Sequence, residues 1–143
     1  MKIPKTSDDF RNEFYSSIDS MDKIGDLRLR QFMDRLNTVS DEIITEGIVK
    51  VFEYKKRPEA EYTDQKYARK ILEKLKPKSD IDLLVVLKST IGNWNKSVEE
   101  FPFWMIENYG IESVKNKLTD LETQNLTVIE LDKLKTIKWW LKI

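Results

Sequence analysis

An all-α fold is what this sequence predicts: a compact bundle or helical-hairpin stack of seven to eight short helices, forming one helical domain over residues 1–143. Three features lead there. Apolar residues recur at three- and four-residue intervals in segment after segment, the period of a helix with one buried face. Ser or Thr stands ahead of most of these segments with acidic residues in the turn that follows, which is the chemistry of a helix start. The four Gly and four Pro are too few for the tight turns of a sandwich or barrel, and they fall at points that punctuate helices.

The first helix is capped by Thr6 or Ser7, carries Asp8 and Asp9 in its first turn, and presents Phe10, Phe14, Ile18 and Met21 on one face. A break at Gly25 and Asp26 leads to a second helix with Leu27, Leu29, Phe32, Met33 and Leu36. Ser40, followed by Asp41 and Glu42, opens a third, whose apolar set is Ile43, Ile44, Ile48, Val51 and Phe52. Gly47 lies inside that stripe, where a missing side chain lets a neighbouring helix approach closely at a propensity cost of ~1 kcal/mol. Residues 54–63, with Lys55, Lys56, Arg57 and Pro58, read as an exposed connection. Thr63 then caps a helix with Tyr67, Ala68, Ile71, Leu72 and Leu75, ended by Pro77 because proline disfavours helix at the residue before it. Ser79 opens a run over residues 81–91 that Gly92 closes. Ser97 and Glu100 have capping-box spacing ahead of Phe101, Trp104, Met105 and Tyr109, with Pro102 near the first turn and Gly110 as the stop. A short helix holds Val114, Leu118 and Leu121. A second capping box, Thr127 with Glu130, precedes Leu131, Leu134, Ile137 and Leu141.

Composition narrows the chemistry. With 25 Lys+Arg against 25 Asp+Glu there is no global field to draw the protein onto nucleic acid or an acidic membrane. The absence of Cys and His removes disulfides, zinc-finger ligand sets, thiolate nucleophiles and imidazole bases. No cofactor is called for. The N-terminus has no apolar run behind its first lysine and no stretch is long enough to span a bilayer, so the expected location is cytoplasmic, with no membrane contact. The tripeptides starting at Asn95 and Asn125 match the glycosylation signal by chance on that reading.

The run from Ser79 through Asp80, Ile81, Asp82, Leu83, Leu84 and Val85 to Val86 resembles a strand of the nucleotidyltransferases related to DNA polymerase beta. The resemblance implies Asp80 and Asp82 as magnesium ligands for a nucleoside triphosphate, with a third carboxylate from Glu130 or Asp132. That family also carries a Gly-Ser pair upstream to cradle the phosphates, and no Gly-Ser dipeptide occurs in this chain. Read from its own residues the run is a helix start, where side chains two apart diverge by about 200° and the two aspartates serve as first-turn anions beside a Ser cap.

Charge is uneven along the chain. Residues 7–46 carry 5 basic and 10 acidic side chains, whereas residues 55–78 carry 9 basic and 4 acidic. On the helix over 64–76, Lys66, Arg69, Lys70 and Lys74 gather opposite the apolar face, and with Lys55, Lys56 and Arg57 nearby they offer a phosphate-contacting patch, Tyr54 or Tyr62 supplying stacking. The alternative is a solvated face, or one neutralised by the acidic first helices. Trp94 and Trp104 sit among apolar neighbours and belong to the core. Trp139 and Trp140 differ, because both project more than about 90° from the centre of the last helix's apolar stripe and need a second surface to cover them. Lys133, Lys135, Lys138 and Lys142 surround the pair. The functional expectation is therefore a non-enzymatic interaction module, an adaptor, an inhibitor of immunity type or a self-associating protein, that binds a protein partner or a second copy. Trp139 and Trp140 lead the candidate residues, followed by Lys66, Arg69, Lys70 and Lys74. Magnesium-dependent nucleotidyl transfer at Asp80 and Asp82 and nucleic-acid contact through the basic helix are the competing readings.

Overall fold

The computed structural model describes residues 2–53 and 56–143, and within them the protein is an all-α bundle. In chain order the helices are α1 (Ser7–Asp19), α2 (Met21–Ile24), α3 (Leu27–Arg35), α4 (Asp41–Glu53), α5 (Glu61–Leu75), α6 (Leu83–Thr90), α7 (Glu100–Tyr109), α8 (Ile111–Glu122) and α9 (Val128–Leu141), with short 3-10 turns at Leu36–Thr38 and Pro58–Ala60. The described residues thus hold nine helices rather than seven or eight. The extra one is the single turn α2, which separates from α1 where the Ser20 hydroxyl donates back to the Ser16 carbonyl at 2.7 Å. It ends at Gly25, whose φ of 64° with ψ of −154° is a combination that favours a residue without a side chain.

Three of the expected starts move. Thr63 lies inside α5, because Pro58 begins a 3-10 turn that runs straight into the helix two residues earlier. The start of α6 belongs to Asp82 rather than Ser79: its Oδ1 accepts from Leu84 N at 2.9 Å and Val85 N at 3.3 Å. The first turn of α7 has no side-chain cap, since both the amide and the hydroxyl of Ser97 donate to Asn95 Oδ1 in a local turn. Pro102 then occupies the third helical position, where a missing N–H removes no hydrogen bond. Other starts hold: the Thr6 hydroxyl accepts from Asp9 N at 3.0 Å, and Thr127 and Glu130 form the full capping box of α9. Pro77 stops α5 as expected, with Lys76 turned to φ 44° and its N–H donating to the Leu72 carbonyl.

The buried apolar side chains form one cluster running from Phe10 to Leu141. At its N-terminal end α1 lies across α4 and α3, and Phe10, Phe14 and Phe32 meet ring to ring. Gly47 permits that approach, because a Cβ there would occupy the space of the Phe10 side chain. α4 bridges to the second half, where α5, α6, α7 and α8 pack around Phe52, Phe101 and Trp104, the first two stacked at 4.1 Å. Trp94 and Trp104 are both buried, as their neighbours implied. Each indole N–H is satisfied, Trp94 by the Val98 carbonyl and Trp104 by the Pro77 carbonyl.

Two non-helical segments are tied to the helices by side-chain hydrogen bonds. In the connection between α6 and α7, Asn93 Nδ2 donates to the Phe52 carbonyl at the end of α4, while Gln65 donates to the Asn93 carbonyl and accepts from Asn95 N. Between α5 and α6, Asn108 accepts from Ser79 N and donates to Ser79 O, and the Tyr109 hydroxyl donates to the Ile81 carbonyl. Side chains of α7 therefore read residues 77–81 as an adjacent strand would, though no strand forms among the described residues.

The described part of the connection over 54–63 is exposed at Lys56, Pro58, Glu59 and Tyr62, with its end taken into α5. Tyr54 and Lys55 lie outside the described residues. Arg57 is no free cation: its guanidinium bonds to Asp19 through two nitrogens at 3.1 and 2.8 Å and to Asp64 at 2.9 and 3.2 Å, and sits 4.3 Å over the Tyr15 ring. That contact ties the connection to both α1 and α5.

Candidate functional site

The last helix buries a narrow stripe. Leu134, Ile137 and Leu141 enter the core, whereas Leu131, expected there too, is left at the margin because it lies about 120° around the axis from Ile137. On the opposite side, Val128, Leu131, Lys135 and Trp139 follow one another at helical spacing. Val128 is 86% exposed and Trp139 69% exposed. Ile129 adds further apolar surface in the first turn.

The two indoles, paired in the sequence reading, separate in the structure. Trp140 packs against the core and donates its Nε1–H to the Lys96 carbonyl at 2.9 Å. Trp139 stands outward with its ring edge-on to Trp140, centroids 4.8 Å apart and planes at 63°. Trp140 is thus the support and Trp139 the presented group. The lysines divide likewise. Lys133 donates to the Gly92 carbonyl and Lys138 pairs with Glu122 on α8, while Lys135 and Lys142, together with Trp139 and Trp140, line a shallow open groove and carry no ion pair among the described residues.

The basic face of α5 is paired in part within the molecule. Arg69 Nη1 pairs with Glu100 Oε2 of α7 at 2.8 Å, and Lys74 lies 3.6 Å from Asp34 of α3, so the acidic N-terminal region does neutralise part of it. Lys66 and Lys70 flank the Tyr67 ring at 5.7 and 4.7 Å. Tyr62 is exposed one turn away. Asp80 is exposed in the loop and Asp82 is engaged as the α6 cap, so the two do not share a pleated face, and no cluster of three metal-ligating side chains occurs among the described residues.

One surface feature has no counterpart in the sequence reading. Between α5 and α7 lies a cleft floored by Leu72, Phe103 and Trp104, with Phe103 42% exposed. Glu73, Glu99 and Glu107 rim it without ion pairs among the described residues, against a single cation, Lys76. Phe103 could have been flagged from its place in α7, where Phe101, Trp104 and Met105 already fill the inward side.

Fold and surface together define a class: an all-α bundle presenting an aromatic and cationic helix face. No protein-family model, no curated protein and no solved structure matches this chain. No helix among the described residues is long and apolar enough to cross a membrane.

Proposed function

We propose that the protein acts without catalysis, binding another protein through the outer face of α9 with Trp139 at its centre. The observation that carries this reading is an indole 69% exposed and in edge-to-face contact with Trp140, which is itself hydrogen-bonded to the Lys96 carbonyl. Tryptophan is enriched among binding hot spots, and its large ring brings contact area at a low cost in rotamer freedom. Val128 and Leu131 extend the apolar track along the helix, and Lys135 and Lys142 supply a polar rim that suits a partner with acidic margins. Adaptors, inhibitors that neutralise a toxin or enzyme, and self-associating proteins all work through such faces.

The competing readings have less to draw on. Nucleotidyl transfer asks for a strand over residues 80–86, and Leu83–Thr90 is helical. Nucleic-acid contact through α5 is left with Lys66 and Lys70 once Arg69 and Lys74 are paired. The test is a quantitative pull-down from the native host with the wild-type chain and Trp139→Ala side by side. A partner retained by the wild type and reduced about tenfold or more by the variant is the expected result. Equal recovery by both chains refutes the assignment of the face.

A further inference from the structure

Two of the exposed aromatic surfaces among the described residues, those at Trp139 and Phe103, are complementary. On α9 an exposed indole is flanked by Lys135 and Lys142; between α5 and α7 an exposed phenyl ring, Phe103, is rimmed by Glu73, Glu99 and Glu107. Both surfaces are apolar at the centre and charged at the margin, with opposite sign. Resting on the reading of α9 given above, we propose that its partner is a second copy of this chain, with Trp139 of one molecule seated against Phe103 in the acidic cleft of the next. Aromatic contact supplies the buried centre, and the lysine and glutamate rims fix the orientation. The surfaces share no residue, so each molecule offers both at once. Because each molecule carries both surfaces, the contact either closes reciprocally as a two-fold dimer or runs head-to-tail into a ring or an open chain. A chain with 25 basic and 25 acidic side chains has no net repulsion to oppose such growth.

Sedimentation velocity over a wide concentration range decides the matter, with the full chain and two variants, Trp139→Ala and the double variant Glu73→Lys/Glu107→Lys. Neither variant touches the buried core. The wild type is expected to rise with concentration to twice its 17.0 kDa or beyond, more weakly as salt is raised. Each variant alone stays at the monomer mass. An equimolar mixture of the two, which restores one sound surface of each kind, forms a two-chain species that grows no further. A wild type that remains monomeric throughout overturns the proposal and leaves the α9 reading to the pull-down. Association unaffected by the glutamate reversals but lost in Trp139→Ala overturns the cleft assignment while sparing α9. Association unaffected by Trp139→Ala overturns the proposal, and the α9 reading again rests with the pull-down.

Discussion

Arg57 shows how a residue that composition places on the surface becomes a joint. Its guanidinium spans Asp19 on α1 and Asp64 on α5, and the two carboxyls respond differently to that cation. The Arg57 hydrogen bonds hold the exposed Asp19 below the usual carboxylate value of 3.8, whereas burial pushes Asp64 above it despite the same partner. Arg57 itself is driven further up, chiefly by Asp19 and then by Asp64, and stays charged. The consequences for stability have opposite signs. Asp19 stabilises the fold above pH 3.8 and loses that contribution as pH falls through its lowered folded value. Asp64, with its folded value raised, is least costly when protonated, so its contribution declines as pH rises from 3.8 through that value. Replacing Asp64 by Asn removes the second effect together with the ion pair to Arg57, and of these two losses the titration is the one that depends on pH over this range. Urea unfolding at pH 4 and pH 7 is therefore expected to show the wild type losing stability relative to Asp64→Asn as pH rises; a difference that does not change with pH contradicts the assignment.

At the scale of elements, packing depends on a few local concessions. α1 reaches α4 because Gly47 has no Cβ to meet Phe10, and the helix-propensity gain of about 1 kcal/mol from alanine is small against that collision. Gly47→Ala is expected to destabilise by about 1–3 kcal/mol in urea unfolding. Residues 77–81 depend on α7, where Asn108 satisfies both backbone groups of Ser79. Asn108→Ala orphans them and is expected to cost about 1–3 kcal/mol, with faster hydrogen exchange at the Ser79 amide as the local readout. Apolar spacing made nearly every helix legible in the sequence, since burial of one face imposes that period whatever the neighbours. Caps were less legible. Ser79 and Ser97 have suitable side chains, but tertiary and turn contacts claim them: Ser79 faces Tyr109, and Ser97 bonds to Asn95. The single-turn α2 has no period to read at all.

Over the whole molecule, the imbalance between an acidic N-terminal region and a basic middle is partly spent internally, through Lys74 with Asp34 and Arg57 with Asp19. Among the surfaces left outward are Trp139 with its lysines and the glutamate-rimmed cleft beside Phe103. Trp139 was legible in the sequence because it falls off the apolar stripe of its own helix. The cleft was not, because Glu73 lies on α5 and Glu107 on α7, and no one-dimensional pattern reports that two helices far apart in sequence lie side by side. Both surfaces rest on the claim that Trp139 is presented outward and contributes little to the fold. Urea unfolding of Trp139→Ala measures this most directly, with Trp94→Ala as the buried reference at a cost of about 3–5 kcal/mol. Trp139→Ala is expected to unfold within about 0.5 kcal/mol of the wild type. A loss above about 2 kcal/mol would place the indole in the core and contradict the account.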